Sequence, residues 1–150
     1  MASGKTHDQS IYMTFPLYTA VLLLQGFSIR ITFISAFCYL FGGLMLSPDI
    51  DMSKSRPSQR YGLLKFYWMP YQKLFPHRGN FFNRNFFTHF PIIGTAIRLA
   101  YFSIPFLVVA YYNGLNLSDY YLYVAILGIT TELASLLHLA LDIVHTLRKR

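Results

Sequence analysis

Charged side chains are scarce in this sequence, and acidic ones are the scarcest. Only 6 of its 150 residues are Asp or Glu, and 13 are Lys or Arg. The charged fraction of 13% is about half that of a typical soluble domain, whereas 54% of the residues are hydrophobic. This shortage of solvating groups argues against a water-soluble protein. The net charge of +7 therefore predicts anionic lipid headgroups, rather than nucleic acid, as partners.

Cysteine is almost absent as well. The single Cys38 lies in an apolar run, so neither a disulfide framework nor a cysteine-based zinc site can be built. Any metal site in this chain must therefore use nitrogen and oxygen ligands.

Long stretches of the chain carry no charge. They comprise residues 9–29, 31–48 and 99–118, each close to the roughly 20 residues that cross the hydrocarbon core of a bilayer. The segment that begins at Asp119 is also long enough to cross. We therefore predict one membrane-integral, all-α domain over residues 1–150, a four-helix bundle with spans at about 11–27, 30–47, 91–112 and 120–145.

The basic residues predict the orientation of this bundle. Four spans place both termini and the Ser47–Phe90 loop on one side, and every Lys and Arg except Arg30 lies on or near that side. By the positive-inside rule this side is cytoplasmic, in a plasma or thylakoid membrane. The loop segment "YGLLKFYWMPYQKLFPH" predicts either an amphipathic element in the headgroup layer or a linker anchored by its aromatic residues.

Most histidines and acidic residues fall on this same side of the bundle. His138 and Asp142 lie four residues apart on one face of the last helix, with His145 on the same stripe. A histidine and a carboxylate so placed can bind one ion together. Asp49 and Asp51 follow the second span, and in an extended segment both would point toward a common ion. The alternative for these aspartates is the solvated start of a loop.

The remaining polar residues have weaker assignments. His77 and His89 flank the entrance to the third span, and His7 precedes the first, where Asp8 is either a ligand or a helix cap. Glu132 lies about 15 Å up the helix from Asp142 and is expected to pair with Arg98 inside the bundle instead. Gly42 and Gly43 are expected to allow close helix packing beside the site.

The sequence resembles small uncharacterised metal-binding membrane proteins that are common in oxygenic photosynthetic bacteria. The matching stretches are "ASGKTHD", "FGGLMLSPDID", "WMPYQKLFPHR", "THFPIIGTAIRLAY" and "ELASLLHLALD". It is more distantly similar to inner-membrane metal-dependent hydrolases induced by DNA damage, and through them to zinc-dependent phospholipase C. The resemblance implies metal ligation by His7, Asp49, Asp51, His77, His89, His138 and Asp142. The twelve positions from His77 to His89 exceed the usual family spacing, so His77 is either kept in the site by an inserted loop or displaced from it.

This ligand set predicts a metal-dependent hydrolase. Mixed His and Asp ligands suit zinc best, with manganese or iron as alternatives. Zinc acidifies a coordinated water and so supplies a nucleophile, with Asp51 as the candidate general base. A site at the membrane interface predicts a phosphoester or ester of a lipid-like substrate, whose anionic group Arg78 and Arg84 would neutralise.

Two non-enzymatic functions are the alternatives. In the first, a structural metal with all positions occupied by protein holds the loop to the helix ends. In the second, His138 is an axial ligand to haem or chlorophyll in an accessory subunit bound to a membrane-protein partner. The accompanying carboxylates favour a bare cation over a pigment.

Overall fold

The computed structural model describes residues 3–77 and 86–148. Within these residues the chain forms helices and no strand, which confirms the all-α prediction. The α-helices of this part are α1 (Gly4–Leu24), α2 (Ile29–Leu44), α3 (Arg56–Arg60), α4 (Met69–Leu74), α5 (Phe86–His89), α6 (Ile93–Tyr112) and α7 (Tyr121–Leu147). Short 3₁₀ helices occupy Pro48–Asp51, Gly62–Trp68 and Leu117–Tyr120.

The first helical hairpin begins and turns at residues suited to those positions. The Ser3 side chain caps α1 by accepting a hydrogen bond from the Thr6 N–H at 3.2 Å, and Ser28 caps α2 through the Ile31 N–H at 3.4 Å. Gly26 makes the turn with a φ of +79°, in the left-handed region that favours glycine. Because capping rather than apolar content starts the helix, α1 begins earlier than the predicted span and its first turns are polar.

Close helix packing in the bundle depends on two glycines of α2. A Cβ atom at Gly42 would lie 2.5 Å from Thr131 Oγ1 of α7, and one at Gly43 would lie 2.6 Å from Ile11 Cδ1 of α1. At Gly42 the Thr131 Cα would lie 2.8 Å away, so glycine is required there, whereas at Gly43 the Ile11 side chain would have to shift. Both glycines therefore allow close helix packing, as predicted. Helix α2 packs most extensively against α7 and next most against α1.

The segment Gly62–Leu74, which we call the aromatic segment, is an ordered part of the fold. Its Trp68 and Tyr71 side chains are fully buried with Leu46 and Ile50. On the α6 side, the Tyr67 hydroxyl donates to the Tyr101 carbonyl, and the Tyr101 hydroxyl donates to the Tyr67 carbonyl at 2.6 Å. The segment therefore lies against α6 as a packed element, unlike a loose linker.

The helices differ in whether their length and hydropathy would allow them to cross a membrane. Two stretches, Ile93–Tyr112 and Leu117–Leu147, are long and apolar enough by length and composition, and Ile29–Leu44 is apolar but shorter. Helix α1 falls short because its first turns carry charged and polar residues. The predicted four-span bundle is therefore not confirmed, although large apolar side chains such as Leu24 and Ile29 are more than 80% exposed.

Candidate metal centre

Residues from five segments of the chain meet at one end of the bundle. His7 comes from the first turns of α1, and His138 and Asp142 come from the C-terminal half of α7. Asp49 and Asp51 lie in the 3₁₀ helix that follows α2, while His77 and His89 lie on either side of residues 78–85. All seven side chains are less than 10% exposed.

The two loop aspartates are arranged differently from the sequence prediction. They lie in a 3₁₀ helix and not in an extended segment, so they do not point the same way. With about three residues per turn, side chains two positions apart point in directions about 120° apart. Asp49 faces His89 and His138, whereas Asp51 faces His77 and Thr88. The pair therefore serves two neighbouring sets of donors.

The seven side chains form a continuous series of nitrogen and oxygen contacts. At one end Asp142 lies 3.4 Å from His7 Nε2 and 3.5 Å from His138 Nε2. In the middle Asp49 Oδ1 lies 3.5 Å from His138 Nε2 and 3.8 Å from His89 Nε2. At the other end Asp51 lies 3.1 Å from His77 Nδ1 and 3.8 Å from His89 Nδ1. The series contains three overlapping groups able to hold an ion: His7, His138, Asp142; Asp49, His89, His138; and Asp51, His77, His89.

Most of these distances suit ligands of one ion better than hydrogen bonds. Two ligands bonded at about 2.0–2.1 Å to a tetrahedral zinc ion lie about 3.3–3.4 Å apart. Hydrogen bonds between nitrogen and oxygen are shorter, at about 2.7–3.2 Å. Asp49 Oδ1, His89 Nε2 and His138 Nε2 are buried and have no hydrogen-bond partner within the described residues. Buried polar atoms without a partner are costly unless something else binds them, so the residues present fit a divalent cation.

Hydroxyl groups orient the two central histidines. Thr88 Oγ1 donates to Asp51 Oδ2 at 3.2 Å and lies 3.0 Å from His89 Nδ1. Because this hydroxyl proton goes to Asp51, the Thr88 oxygen can accept the Nδ1–H of His89, and Nε2 of that ring faces Asp49 Oδ1. Ser47 Oγ lies 3.3 Å from His138 Nδ1 and contacts the second ring at the same nitrogen. Metal-binding histidines are commonly held through their second nitrogen like this.

The electrostatics at Asp49 also suit a ligand. Burial raises the pKa of its carboxyl, but the interactions with His138 and His89 outweigh burial and hold the pKa well below its usual range. Asp49 is therefore ionised at neutral pH and carries the negative charge that a cation requires.

Arg98, buried inside the bundle, holds the Thr88 turn in place. Its guanidinium donates to the Thr88 carbonyl at 2.7 Å, to Thr95 Oγ1 at 2.9 Å and to Ser135 Oγ at 2.8 Å. The predicted ion pair between Arg98 and Glu132 does not form within 4.0 Å, because two guanidinium nitrogens donate to these neutral acceptors; the two charges interact only at longer range. Sequence reasoning missed Ser47 and Thr88 as orienting residues, since a lone hydroxyl beside a histidine gives no pattern.

Three further acidic or histidine positions lie outside the series. Asp8 does not cap α1, since Ser3 does, and it pairs instead with Arg56 at 2.7 Å and Arg60 at 2.6 Å. Glu132 Oε1 accepts the Ile92 N–H at 3.0 Å, and His145 belongs to none of the three ion-binding groups. The predicted anion partners Arg78 and Arg84 lie outside the described residues.

Glu132 stabilises a strained turn next to the site. Ile92 has a φ of +67°, which is unusual for a β-branched residue, and Glu132 holds its N–H at the start of α6. This turn carries the chain from His89 into α6. Glu132 thus positions a ligand segment.

Two openings adjoin the centre. A cavity of about 10 Å³, room for about one water molecule, is lined by His89, Thr88, Arg98 and Glu132 among others. A groove of about 360 Å³ between α6 and α7 shares Thr95 and Glu132 with that cavity and is otherwise almost wholly apolar. The groove on the apolar flank of the bundle is therefore separated from the cavity at His89 by the shared residues Thr95 and Glu132.

An all-helical fold with clustered, buried His and Asp side chains defines a candidate metal-binding protein. The chain matches, over residues 2–123, the family described as "uncharacterized metal-binding protein (DUF2227)", and it belongs to that family. Five of the seven candidate ligands lie in the matched range, and His138 and Asp142 follow it. This confirms the metal-binding part of the predicted resemblance, whereas the photosynthetic source and the hydrolase similarity stay predictions.

One relative is an uncharacterised protein of Aquifex aeolicus, 44% identical over 63 residues. The aligned region covers 42% of this chain and 40% of the relative, so the chain spans about two fifths of the relative's length. No solved structure gives a significant match.

Proposed function

We propose that the protein is a membrane-embedded, metal-dependent hydrolase that acts on a phosphoester or ester of a lipid-like substrate. The observation that carries the proposal is the unpaired, buried set of Asp49 Oδ1, His89 Nε2 and His138 Nε2. These atoms would hold the first divalent ion, most readily zinc. His7 and Asp142 on one side, and Asp51 and His77 on the other, would complete its surroundings or hold a second ion.

The chemistry follows from what each group offers. A bound divalent ion supplies a Lewis acid and lowers the pKa of a water molecule to about 7. Asp51, buried and already accepting hydrogen bonds from Thr88 and His77, is placed to accept a proton from a nucleophilic water. A water-sized cavity lies beside His89 and Thr88, and the Thr88 hydroxyl connects it to Asp51.

The lipid-like substrate is supported by the groove between α6 and α7. An acyl chain lying along Ala96, Leu99 and Ile129 would bring its head to Thr95 and Glu132, which also line the cavity at His89. The exposed apolar flanks of α6 and α7 support an origin of that chain in the bilayer.

Turnover is tested with metal-loaded protein in proteoliposomes against fluorescent phosphodiester and carboxylic-ester lipids. We expect activity that a chelator abolishes. Asp51→Asn should lower the rate at least about 100-fold, in the range of a lost general base, whereas Asp119→Asn at the opposite end should leave it unchanged. Metal-loaded protein that is no faster than chelated protein on every lipid would overturn the hydrolase.

A structural ion is the second candidate function. It is favoured by one observation: the ligands come from segments as distant as α1, the Pro48–Asp51 turn and α7, so one ion would cross-link them. The turnover assay separates the two, because a structural ion gives metal-dependent stability without hydrolysis. A pigment on His138 is disfavoured, because that ring stacks on His7 with centroids 3.6 Å apart.

The membrane orientation is also a proposal. Within residues 3–77 and 86–148, the Lys and Arg residues other than Arg30 lie at or near the metal end, which favours a cytoplasmic location for that end and both termini. In a Cys38→Ala background, Lys5→Cys should react with an impermeant maleimide only in lysed cells. Equal labelling of intact cells would contradict this orientation.

A further inference from the structure

The aromatic segment Gly62–Leu74 has one buried face and one exposed apolar face. Trp68 and Tyr71 are inside, whereas Leu63 is 84% exposed, Leu64 71% and Phe66 58%. We propose that this exposed face inserts into the lipid bilayer, and that a basic recess beside it binds the phosphate of an anionic phospholipid. The inference rests on the membrane location in the proposed function but not on hydrolysis.

The position of the segment along α6 gives its depth. The reciprocal hydrogen bonds between Tyr67 and Tyr101 fix the segment to α6 at a defined level. Tyr101 follows Ile93, where α6 begins, by eight residues, or about 12 Å at 1.5 Å per residue. Helix α6 has 20 residues and is one of the two stretches able to cross a membrane, so apolar side chains that point outward at this level lie within the proposed span and face hydrocarbon. Leu63, Leu64 and Phe66 match that environment.

The recess lies beside this apolar face. It has a volume of about 280 Å³ and is lined by Lys54, Lys65, Gln59, Gln72, Phe66 and Met69, together with two serines. This volume is slightly below the roughly 300–1,000 Å³ of sites that enclose a drug-sized ligand. The recess therefore suits one lipid headgroup whose tails remain outside, next to Phe66 and Met69.

The charge of the recess is complementary to a phosphate. No carboxylate lines it, and neither Lys54 nor Lys65 forms an ion pair within the described part of the chain. The Lys65 ammonium lies 5.7 Å from the centroid of the Phe66 ring, at the junction between charge and apolar surface. Lys54 and Lys65 thus lie beside apolar side chains and have no carboxylate to neutralise them. Amphipathic elements that bind anionic membranes combine cations and apolar side chains in this way.

One residue of the recess forms a hydrogen bond with the 3₁₀ helix Pro48–Asp51, which carries both aspartates. Gln72 lines the recess, and its Nε2 donates to the carbonyl of Ile50, the residue between Asp49 and Asp51, at 2.9 Å. The lipid contact thus supports the segment on which the metal ligands are built, without itself contributing a ligand.

Insertion is tested with full-length protein in proteoliposomes. In a Cys38→Ala background, Leu64→Cys and, as a polar control, Lys5→Cys are each labelled with an environment-sensitive fluorophore. We expect the label at position 64 to be quenched by spin-labelled lipid and protected from aqueous iodide, and the label at position 5 to behave in the opposite way. Iodide quenching of equal strength at both positions would overturn insertion.

The headgroup site is tested by lipid selectivity. Spin-labelled phosphatidylglycerol should associate with the wild type at least about twofold more strongly than spin-labelled phosphatidylcholine. Lys54→Gln/Lys65→Gln should lose this preference, whereas Lys5→Gln/Arg148→Gln, which removes the same charge outside the aromatic segment, should keep it. Millimolar inorganic phosphate should not displace the lipid. Equal association of both lipids, equal loss in both variants, or displacement by free phosphate would contradict the site.

These outcomes are independent of the metal. Metal content measured on the same samples should be unchanged in Lys54→Gln/Lys65→Gln. If the wild type binds metal but shows no lipid preference, only this inference is contradicted. If the wild type lacks metal but shows the lipid preference, the proposed hydrolase is contradicted and this inference is supported.

Discussion

At the end of the bundle where α2 ends and α6 begins, polar and charged side chains are buried, among them His138, Asp142 and Arg98. Toward the opposite ends of the same helices, Leu24, Ile29 and Tyr111 are each more than 80% exposed. Water cannot account for both regions, because it would solvate the buried ionisable groups and would not favour the exposed apolar ones. The proposed cation would bind the unpaired ligand atoms of the metal end, and the proposed membrane location would cover the exposed apolar side chains of the other end.

The largest expected effect concerns removal of that cation. Chelation should lower the thermal unfolding temperature in detergent by about 10 °C, because an ion present at about 1,000 times its Kd contributes about 4 kcal/mol and a chain of this size loses about 2–4 °C per kcal/mol. Asp119→Ala replaces an exposed acid at the apolar end. In each condition, with chelator and without it, this variant should unfold at the same temperature as the wild type. If chelator leaves the unfolding temperature unchanged, a bound ion does not stabilise the metal end.

The apolar end is probed by a charge in the middle of α6. Ile104 is 48% exposed, and Ile104→Asp should cost about 2.5–3.5 kcal/mol if that face meets lipid. In water an exposed substitution would cost within about 0.5 kcal/mol. The amount of protein in carbonate-washed membranes should fall sharply, whereas Gln9→Asp, exposed at the metal end, should have no effect. Undiminished membrane recovery of Ile104→Asp would refute a lipid-facing α6.

The helix contact between the two regions is probed at Gly42. Gly42→Ala places a methyl group 2.8 Å from the Thr131 Cα, and overpacking of this kind costs about 1–3 kcal/mol. Gly128→Ala in α7 is the matched control, because its nearest neighbour would be 3.9 Å away and helical alanine is favoured. The unfolding temperature should fall for the first variant and stay level or rise for the second. Equal effects would mean that α2 and α7 do not approach this closely.

The smallest effect concerns a residue that does not itself bind metal. Thr88→Val keeps the side-chain shape but removes the hydroxyl between Asp51 and His89, and loss of such an orienting group typically weakens metal affinity by about 10–100-fold. Competition with a chromophoric chelator would measure it. Thr19→Val is the control, because that hydroxyl bonds only to the Phe15 carbonyl of its own helix. Unchanged affinity in Thr88→Val would remove Thr88 from the account.

The sequence supported the helices and the ligand residue types because these depend on local patterns. The predicted segments 30–47, 91–112 and 120–145 located helices α2, α6 and α7 closely, while polar first turns hid the start of α1. His138 and Asp142 were predictable from helical spacing alone. The separation of Asp49 from Asp51 was not, because it depends on a 3₁₀ turn whose side chains find partners distant in the chain. The partners of Arg98 were also not predictable, because its acceptors are a backbone carbonyl and two hydroxyls, and the pattern of charges in a sequence does not indicate such acceptors.

The most direct test of the central claim is elemental analysis of protein dialysed against metal-free buffer, comparing the wild type with Asp49→Ala/His138→Ala. The account predicts at least one equivalent of a divalent transition metal in the wild type and less than about a tenth of that in the variant, because the substitutions remove two of the three atoms of the central group. Equal metal content in the two proteins, or none in the wild type, would contradict it.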